Sequence, residues 1–193
     1  MGGYQTSKIR NLGLFGHSGA GKTQLLEALM VKAGLQGESG SLERGSTLSD
    51  FDPQEKQYQH SLDSSLASIE FDDVHLNVID TAGDPDFRGQ TLAAMTAIET
   101  AVIVINAANG IEMSTRRLMR RARQRKRCRV IIINRMDVDD VDLEQLVHDI
   151  RAEFGDECLP INLPCDQGQS VRDCFFKTDG QTDIFSVAAA HTE

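Results

Sequence analysis

The residues with the clearest chemical potential form one glycine-rich octapeptide. It reads Gly16, His17, Ser18, Gly19, Ala20, Gly21, Lys22 and Thr23. This order satisfies G-x-x-x-x-G-K-[ST], a pattern in which backbone N–H groups turn inward onto phosphate oxygens. Glycines permit the dihedral angles of such a loop, and a helix beginning at Lys22 adds the positive end of its dipole. We expect Lys22 to reach the β- and γ-phosphates of a nucleotide and the Thr23 hydroxyl to ligate Mg²⁺.

A second short motif, Asp80-Thr81-Ala82-Gly83, follows the apolar segment Leu76–Ile79. At such a position the Asp80 carboxylate can hold Mg²⁺ through water, and the Gly83 N–H can sense the γ-phosphate. The pattern D-x-x-G taken alone more often marks an ordinary turn. Its place at a predicted strand end, downstream of the phosphate loop, favours a nucleotide site in which Lys22 and Gly83 are catalytic candidates.

The third motif, Asn134-Arg135-Met136-Asp137, is a variant of the guanine-binding pattern N-K-x-D. The Asp137 carboxylate can accept hydrogen bonds from N1–H and the exocyclic N2–H₂ of guanine. Adenine lacks both donors and would leave that carboxylate unpaired, so the site discriminates between the bases. Arg135 replaces the usual lysine, and its aliphatic stem can still cover the base. A polar turn after a strand is the alternative interpretation.

The elements that must position these motifs alternate between strand and helix. The predicted strands are Asn11–Phe15, Leu66–Phe71, His75–Asp80, Ala101–Ala107, Arg129–Asn134 and Leu159–Leu163, and the predicted helices are Lys22–Ala33, Leu92–Thr100, Ser114–Lys126 and Leu143–Phe154. The runs AVIVINA and RVIIIN predict strands buried on both faces of a parallel sheet. An α/β sheet covered by helices follows, with ligands at the C-terminal ends of its strands.

Three further segments have less distinct patterns. Gly34–Gln59 predicts a loop, and Asp72–Asp73 predicts a turn between two strands. After Pro164 the alternation weakens to a candidate strand at Val171–Phe176 and a helix start near Ser186.

Composition excludes several classes of protein. Hydrophobic residues make up 40% of the 193 and charged residues 25%, which is typical of a globular domain. No apolar run approaches the roughly 20 residues that span a bilayer, and the N-terminus lacks a secretory signal, so we expect no membrane contact. None of the four cysteines forms a C-x-x-C pair, which favours free thiols in a reducing cytoplasm. The net charge of −9 argues against non-specific nucleic-acid binding by the whole molecule, and we expect no DNA partner.

The basic charge is concentrated in Arg116–Arg129, where nine of fourteen residues are Arg or Lys. One interpretation is a solvated helix face, with Leu118, Met119 and Ala122 packed inward. The other is contact with RNA phosphates or with an acidic neighbouring domain. No aromatic residue lies among the basic ones, so stacking on single-stranded bases is not indicated.

Together, GHSGAGKT, DTAGDPDF, NRMD and the stretch SDFDPQE resemble the G domain of translation elongation factor G, and especially its elongation-factor-G-like paralogues. The resemblance implies a Ras-like P-loop NTPase fold with a mostly parallel, doubly wound sheet. It also implies binding of GTP and GDP with Mg²⁺, GTPase activity and the ribosome as partner, where the basic helix would touch ribosomal RNA phosphates.

The resemblance further implies a division of the chain. Residues 1–163 would be the G domain, and residues 164–193 would begin the subdomain that these factors insert in it, which is incomplete here. The last guanine motif, a Ser-Ala pair, is missing from its expected place. Ser186-Val187-Ala188 only looks like it, because it falls within the insert.

Two positions depart from the family pattern. The family's first switch carries R-G-I-T, whose threonine binds Mg²⁺, whereas the matching residues here end in Ser61, which keeps only the hydroxyl. The second switch usually places histidine after D-T-P-G, whereas this chain has Asp84. A carboxylate near a γ-phosphate faces like-charge repulsion and cannot donate a hydrogen bond unless protonated. We therefore expect slow intrinsic hydrolysis.

Three other functions stay open at this point. The chain could be a nucleotide-dependent switch that scarcely hydrolyses GTP, which Asp84 favours. It could be an ATP-using P-loop kinase or ATPase, which Asn134 and Asp137 argue against. It could also be a remnant that keeps the fold without binding nucleotide. His17 could be a catalytic base, but it is expected to face the phosphates mainly through its backbone, which favours a spectator role.

Overall fold

The structure is a computed structural model that describes residues 4–36, 64–83, 88–138, 141–177, 179–184 and 186–187. After a 3-10 turn at Thr6–Lys8, its elements are β1 (Ile9–Phe15), α1 (Lys22–Lys32), β2 (Ser65–Phe71), β3 (Val74–Asp80), α2 (Arg88–Ala94), β4 (Thr100–Asn106), α3 (Met113–Gln124), β5 (Cys128–Asn134), α4 (Leu143–Phe154), β6 (Asn162–Cys165) and β7 (Ser170–Asp173). Ser61, Asp84 and nearly all of the predicted loop Gly34–Gln59 lie outside the described residues.

The main sheet has five strands in the order β2-β3-β1-β4-β5. β1 runs parallel to both β3 and β4, whereas β2 pairs antiparallel with β3. Leu14 pairs with Asp80 on one side and with Val102 on the other. Because parallel strands end at the same edge, the segments that follow β1 and β3 emerge side by side. The predicted class, a mostly parallel P-loop sheet with helices, is confirmed.

The turn between β2 and β3 is the one predicted at Asp72–Asp73. Both residues have positive φ, 46° and 63°, and the strands close directly around them through the pair Phe71↔Val74. Two central residues with positive φ are what a two-residue hairpin of right-handed twist requires.

β4 is the buried centre of the sheet, as the run AVIVINA predicts. Every residue from Ala101 to Asn106 is buried. Leu14, Val78, Val102 and Val104 belong to one core cluster, on which Leu12 and Ile132 pack. The prediction that β5 is likewise buried on both faces is wrong, since Val130 is 37% exposed. β5 ends the strand order, with β4 as its one neighbour in the described sheet.

α1 buries the face predicted for it except at one position. Leu26 is in the core, with Leu25 and Met30 packed against it, but Leu29 is 41% exposed. Thr23 and Glu27 are buried instead. The Thr23 side chain points inward to Asp80, and this sets the rotation of α1 about its axis. The spacing of the apolar residues alone does not determine that rotation.

Most element boundaries differ from their predictions by a residue or two, and a few differ by more. The helix predicted at Leu92–Thr100 spans Arg88–Ala94 instead, so both its start and its end are wrong. Beyond its end the Glu99 N–H donates to the Asn11 carbonyl at 3.1 Å, which joins the chain to the sheet. β1 begins two residues earlier than Asn11, at Ile9. β6 and β7 are displaced from Leu159–Leu163 and Val171–Phe176 because they pair with each other from Asn162↔Asp173 to Cys165↔Ser170.

The chain divides into two compact units. The first comprises Met1–Ile105 with Glu112–Ile132, and the second comprises Asn106–Ile111 with Ile133–Glu193. The second unit has a small core of Leu163, Cys174 and Val187 beside Ile184. The predicted division at residues 163 and 164 stays a prediction. Among the described residues, no helix is long and apolar enough to cross a membrane.

A ladder of side-chain hydrogen bonds crosses the sheet within the first unit. Ser68 Oγ donates to Asn77 Oδ1 at 3.0 Å, and Asn77 Nδ2 donates to Asn11 Oδ1 at 2.9 Å. Asn11 then donates from Nδ2 and from its backbone N–H to the Glu99 carboxylate, at 3.1 and 2.8 Å. Ser68, Asn77 and Asn11 are direct partners in the strand register. The ladder therefore favours the observed register over one shifted by a residue.

Replacing Asn11 tests this ladder. The hydrogen bonds from Asn11 hold the pKa of the Glu99 carboxyl below its ordinary value of 4.5. This contribution to stability is full above pH 4.5 and is lost as the pH falls through the lower folded-state pKa. Asn11→Ala should lower the free energy of unfolding in urea by about 1 kcal/mol near neutral pH, and by less in acid.

Ser68→Ala is the control for this test, because it removes only the first bond of the ladder and leaves Glu99 paired. Its effect should not change across the same pH range. An Asn11→Ala effect that is equally large at neutral pH and at about pH 3 would contradict the assigned role of Asn11.

Candidate nucleotide-binding site

The glycine-rich loop joins β1 to α1, as its sequence predicts. Phe15 is the last residue of β1, and α1 begins at Lys22. Gly21 caps the helix with φ 89°, a left-handed conformation that costs glycine little. Within the loop the Ala20 N–H donates to the His17 carbonyl at 3.2 Å. The N-terminus of an 11-residue helix thus opens directly onto the loop.

Lys22 is folded into the loop and is only 6% exposed. Its Nζ donates to the carbonyl oxygens of Gly16 at 3.2 Å and His17 at 3.1 Å. Burial lowers the pKa of Lys22, and the negative charge of Asp80 opposes that effect. A phosphate bound in the loop would bring further negative charge and so would stabilise the buried ammonium of Lys22.

A buried hydrogen bond links the first and second motifs. The Thr23 hydroxyl donates to Asp80 Oδ2 at 2.6 Å. Both residues are buried: Thr23 is 7% exposed and Asp80 is 1% exposed. Asp80 is the last residue of β3 and pairs with Leu14 on β1. The hydroxyl and the carboxylate offer the hard oxygen donors that a small divalent cation prefers. Among the described residues, no group of three or more His, Cys, Asp and Glu could hold a metal.

Gly83 lies directly against the phosphate loop. A Cβ at this position would be 2.6 Å from Lys22 Nζ and 2.6 Å from the Ser18 backbone nitrogen. The preceding Thr81 is buried, and its hydroxyl donates to the Leu14 carbonyl at 2.7 Å. Only glycine can be accommodated this close to the loop, because any side chain would clash. Gly83 of the D-T-A-G motif therefore contacts the phosphate loop at the position where a terminal phosphate is expected.

The His17 side chain lies near a residue that sequence reasoning missed. It is 7% exposed, its Nδ1 is 2.6 Å from the Ser18 carbonyl oxygen, and the same nitrogen is 3.5 Å from Glu112 Oε1. Glu112 precedes α3, and nothing in the sequence pairs it with a loop almost a hundred residues earlier.

The guanine-type motif belongs to the second unit and follows β5, whose last residue is Asn134. The Asn134 carbonyl accepts from the Ala107 N–H at 2.9 Å. Arg135 has φ 58°, which non-glycine residues seldom adopt and which often marks a functional turn. Asn134 is half-buried, whereas Arg135 and Asp137 are exposed.

A second residue missed by sequence reasoning supports this turn. Gly168, in the β6–β7 connection, comes so close that a Cβ would be 2.6 Å from the Met136 carbonyl oxygen. Its N–H donates to Asp183 Oδ2 at 2.9 Å. The composition of the run Asp166-Gln167-Gly168 predicts a turn. It does not predict that this turn lies against Met136.

Four of the predicted site residues therefore come together in the first unit: Lys22, Thr23, Asp80 and Gly83. The structure does not bear on Ser61 and Asp84, which lie outside the described residues. The roles of all these residues toward a nucleotide stay predictions.

Comparison with known proteins covers nearly the whole chain. Residues 7–193 match the family described as elongation factor Tu GTP binding domain. An elongation factor G-like protein of Mycobacterium tuberculosis (strain H37Rv) is 35% identical over 160 residues, which are 83% of this chain and 22% of that protein. The tetracycline resistance protein TetO of Streptococcus mutans is 32% identical over 152 residues, 79% of this chain and 24% of its own length.

The mitochondrial ribosome-releasing factor 2 of Drosophila sechellia is 32% identical over 165 residues, 84% of this chain and 24% of that protein. The chain thus spans about a quarter of the length of these curated relatives.

Two solved structures share the fold. A crystal structure of a Thermus thermophilus protein superposes with a TM-score of 0.82 at 30% identity, over 88% of this chain and 26% of that one. A bacterial selenocysteine-specific elongation factor gives a TM-score of 0.58 at 26% identity, over 76% of this chain and 22% of its own. The resemblance to elongation-factor-G-like proteins is confirmed, and the chain belongs to the family of elongation factor Tu GTP-binding domains.

Proposed function

We propose that this domain binds GTP and GDP together with Mg²⁺ and acts as the slow GTPase switch of a longer translation factor. The observation that carries the proposal is the buried 2.6 Å hydrogen bond between Thr23 and Asp80, beside the buried ammonium of Lys22. Family membership supports guanine-nucleotide binding. The other site roles rest on the chemistry of the residues.

The phosphate loop, Gly16–Thr23, would bind the β- and γ-phosphates with its backbone N–H groups and with Lys22. In doing so Lys22 would exchange its present acceptors, two loop carbonyls, for phosphate oxygens. Charge that develops on the phosphates during hydrolysis would then meet preorganised donors. Gly83, already against Lys22, would donate its N–H to the γ-phosphate.

The pair Thr23 and Asp80 fits a Mg²⁺ site of the kind that relies on phosphates. Mg²⁺ is usually held by one or two protein oxygens, with phosphate and water completing its shell. Thr23 would ligate directly, Asp80 through water, and Ser61 would supply a further hydroxyl. When bound, the ion neutralises phosphate charge.

Asn134, Arg135 and Asp137 would select the base. Asp137, exposed and therefore accessible, would accept from the two guanine donors that adenine lacks. Arg135 would cover the base with its stem. This selection favours a GTPase over an ATP-dependent kinase or ATPase.

The names of the relatives point to translation, since they include an elongation factor G-like protein and a ribosome-releasing factor. We propose that the longer protein works on the ribosome in the cytoplasm, without membrane or DNA. Arg116–Arg129 would contact ribosomal RNA phosphates.

A pair of glycine substitutions tests the closing of Gly83 on the loop. In Gly83→Ala the new Cβ would press on Lys22 Nζ and the Ser18 nitrogen, so we expect GTP binding with Mg²⁺ to weaken at least about tenfold. Gly89→Ala is the matched control, because a Cβ at Gly89 meets nothing within 4 Å. Fluorescent-nucleotide titration measures both variants. If the two bind GTP alike, Gly83 does not contact the bound nucleotide.

Single-turnover hydrolysis tests the role of Asp84. The wild type should hydrolyse bound GTP slowly, because a carboxylate repels the γ-phosphate and cannot donate toward it. Asp84→His should raise the rate by at least about tenfold, within the range of a general acid–base group. Fast hydrolysis by the wild type without any partner would refute the slow-switch proposal. An unchanged rate in the variant would leave Asp84 without the proposed effect.

A further inference from the structure

α3 presents a cluster of arginines on the side opposite its buried face. Thr115, Met119 and Ala122 are buried, which confirms the inward packing predicted for Met119 and Ala122, whereas Leu118 is only half-buried. On the other side, a shallow concavity of about 370 Å³ is lined by Arg117, Arg120, Arg121, Gln124 and Arg125. We call the four arginines of this concavity the arginine face.

The arginine face has no internal counter-charge in the part of the chain that the structure describes. None of its four guanidinium groups makes an ion pair or a hydrogen bond with a described residue. By contrast, Arg127, which follows the helix, donates to the Thr96 carbonyl at 3.1 Å. The arginine face is therefore available to an anion from outside.

The spacing of these arginines disfavours the free helix. Arg117, Arg121 and Arg125 follow one another at i, i+4, and Arg120 lies three residues after Arg117. Like charges at these spacings destabilise a helix. The negative end of the helix dipole offsets part of this repulsion for Arg121 and Arg125, which lie near the C-terminus of α3. It does not do so for Arg117 and Arg120, which lie nearer the middle. A polyanion bound across the face would remove the repulsion.

Charge elsewhere in the chain would orient such a partner. Arg116–Arg129 holds nine basic residues, whereas the whole chain has 20 basic and 29 acidic ones. An anionic polymer would thus be repelled by most of the surface and attracted to one helix. Guanidinium groups match phosphates through bidentate hydrogen bonds. The absence of aromatic residues from Arg116–Arg129 favours the backbone of a duplex over splayed single-stranded bases.

We infer that the arginine face is a docking surface for the phosphate backbone of duplex RNA. The choice of RNA among polyanions rests on the proposed function in translation. The contact is to phosphates and so selects shape and charge, not sequence. An acidic protein segment is the competing partner, which the test below distinguishes.

Fluorescence anisotropy of the 193-residue chain with a labelled RNA hairpin, whose stem exceeds one helical turn, tests this surface. If all four arginines bind phosphates, the logarithm of the affinity should fall with the logarithm of salt concentration with a slope of roughly −3.6. Binding should weaken about a hundredfold between 50 and 200 mM salt.

The double variant Arg120→Gln/Arg125→Gln should reduce the salt slope by about 2 and the affinity at least about tenfold. Arg10→Gln/Lys32→Gln removes the same charge from two exposed positions elsewhere in the first unit and should bind RNA like the wild type. An equal loss in both variants would show that net charge alone governs binding and would overturn the inference. Tighter binding of a poly-glutamate peptide than of the hairpin would also overturn it.

GTP titration of the same samples keeps the two proposals apart. We expect the Arg120→Gln/Arg125→Gln variant to bind GTP like the wild type, which also shows that it is folded. A wild-type chain that binds GTP but not the hairpin would refute the arginine face alone. A chain that binds the hairpin but no nucleotide would refute the proposed function alone.

Discussion

The arrangement of the candidate site depends on one buried hydrogen bond, from Thr23 at the start of α1 to Asp80 at the end of β3, 2.6 Å long. A carboxylate that is 1% exposed is costly to bury unless donors and positive charge surround it. Thr23 supplies the donor and Lys22 the charge. Thr23 and Lys22 reach Asp80 because α1 begins at Lys22 and because β3 pairs with β1, with Asp80 opposite Leu14.

This constraint explains features that would otherwise seem unrelated. Because Thr23 must face inward, α1 rotates so that Leu26 and Glu27 are buried and Leu29 turns outward. Because β3 ends at Asp80, the next residues reach the loop at once, and Thr81 fixes their path by donating to the Leu14 carbonyl. The result is a compact centre of hydroxyl, carboxylate and ammonium groups, poised for phosphate and a hard cation.

Much of this could be predicted because the motifs are local in sequence. The phosphate loop, the turn at Asp72–Asp73 and the buried strand β4 each follow from residues within a few positions of one another. Sequence periodicity gives the spacing of apolar residues but not the rotation of a helix, so it places Leu29 on the wrong face. It also cannot tell a central strand from an edge strand, which is why β5 is less buried than its apolar run suggests. Glu112 beside His17 and Gly168 beside Met136 are contacts between distant segments, which no local pattern encodes.

Calorimetric titration of GDP, GTP and ATP into this chain with Mg²⁺ tests the central claim most directly. We predict that GDP and GTP bind and ATP does not, and that binding weakens when Mg²⁺ is removed. Equal binding of ATP would contradict the assignment of Asn134 and Asp137 to guanine. No binding of any nucleotide at about millimolar concentration would mean that the centre around Thr23 and Asp80 keeps the form of a GTPase without its function.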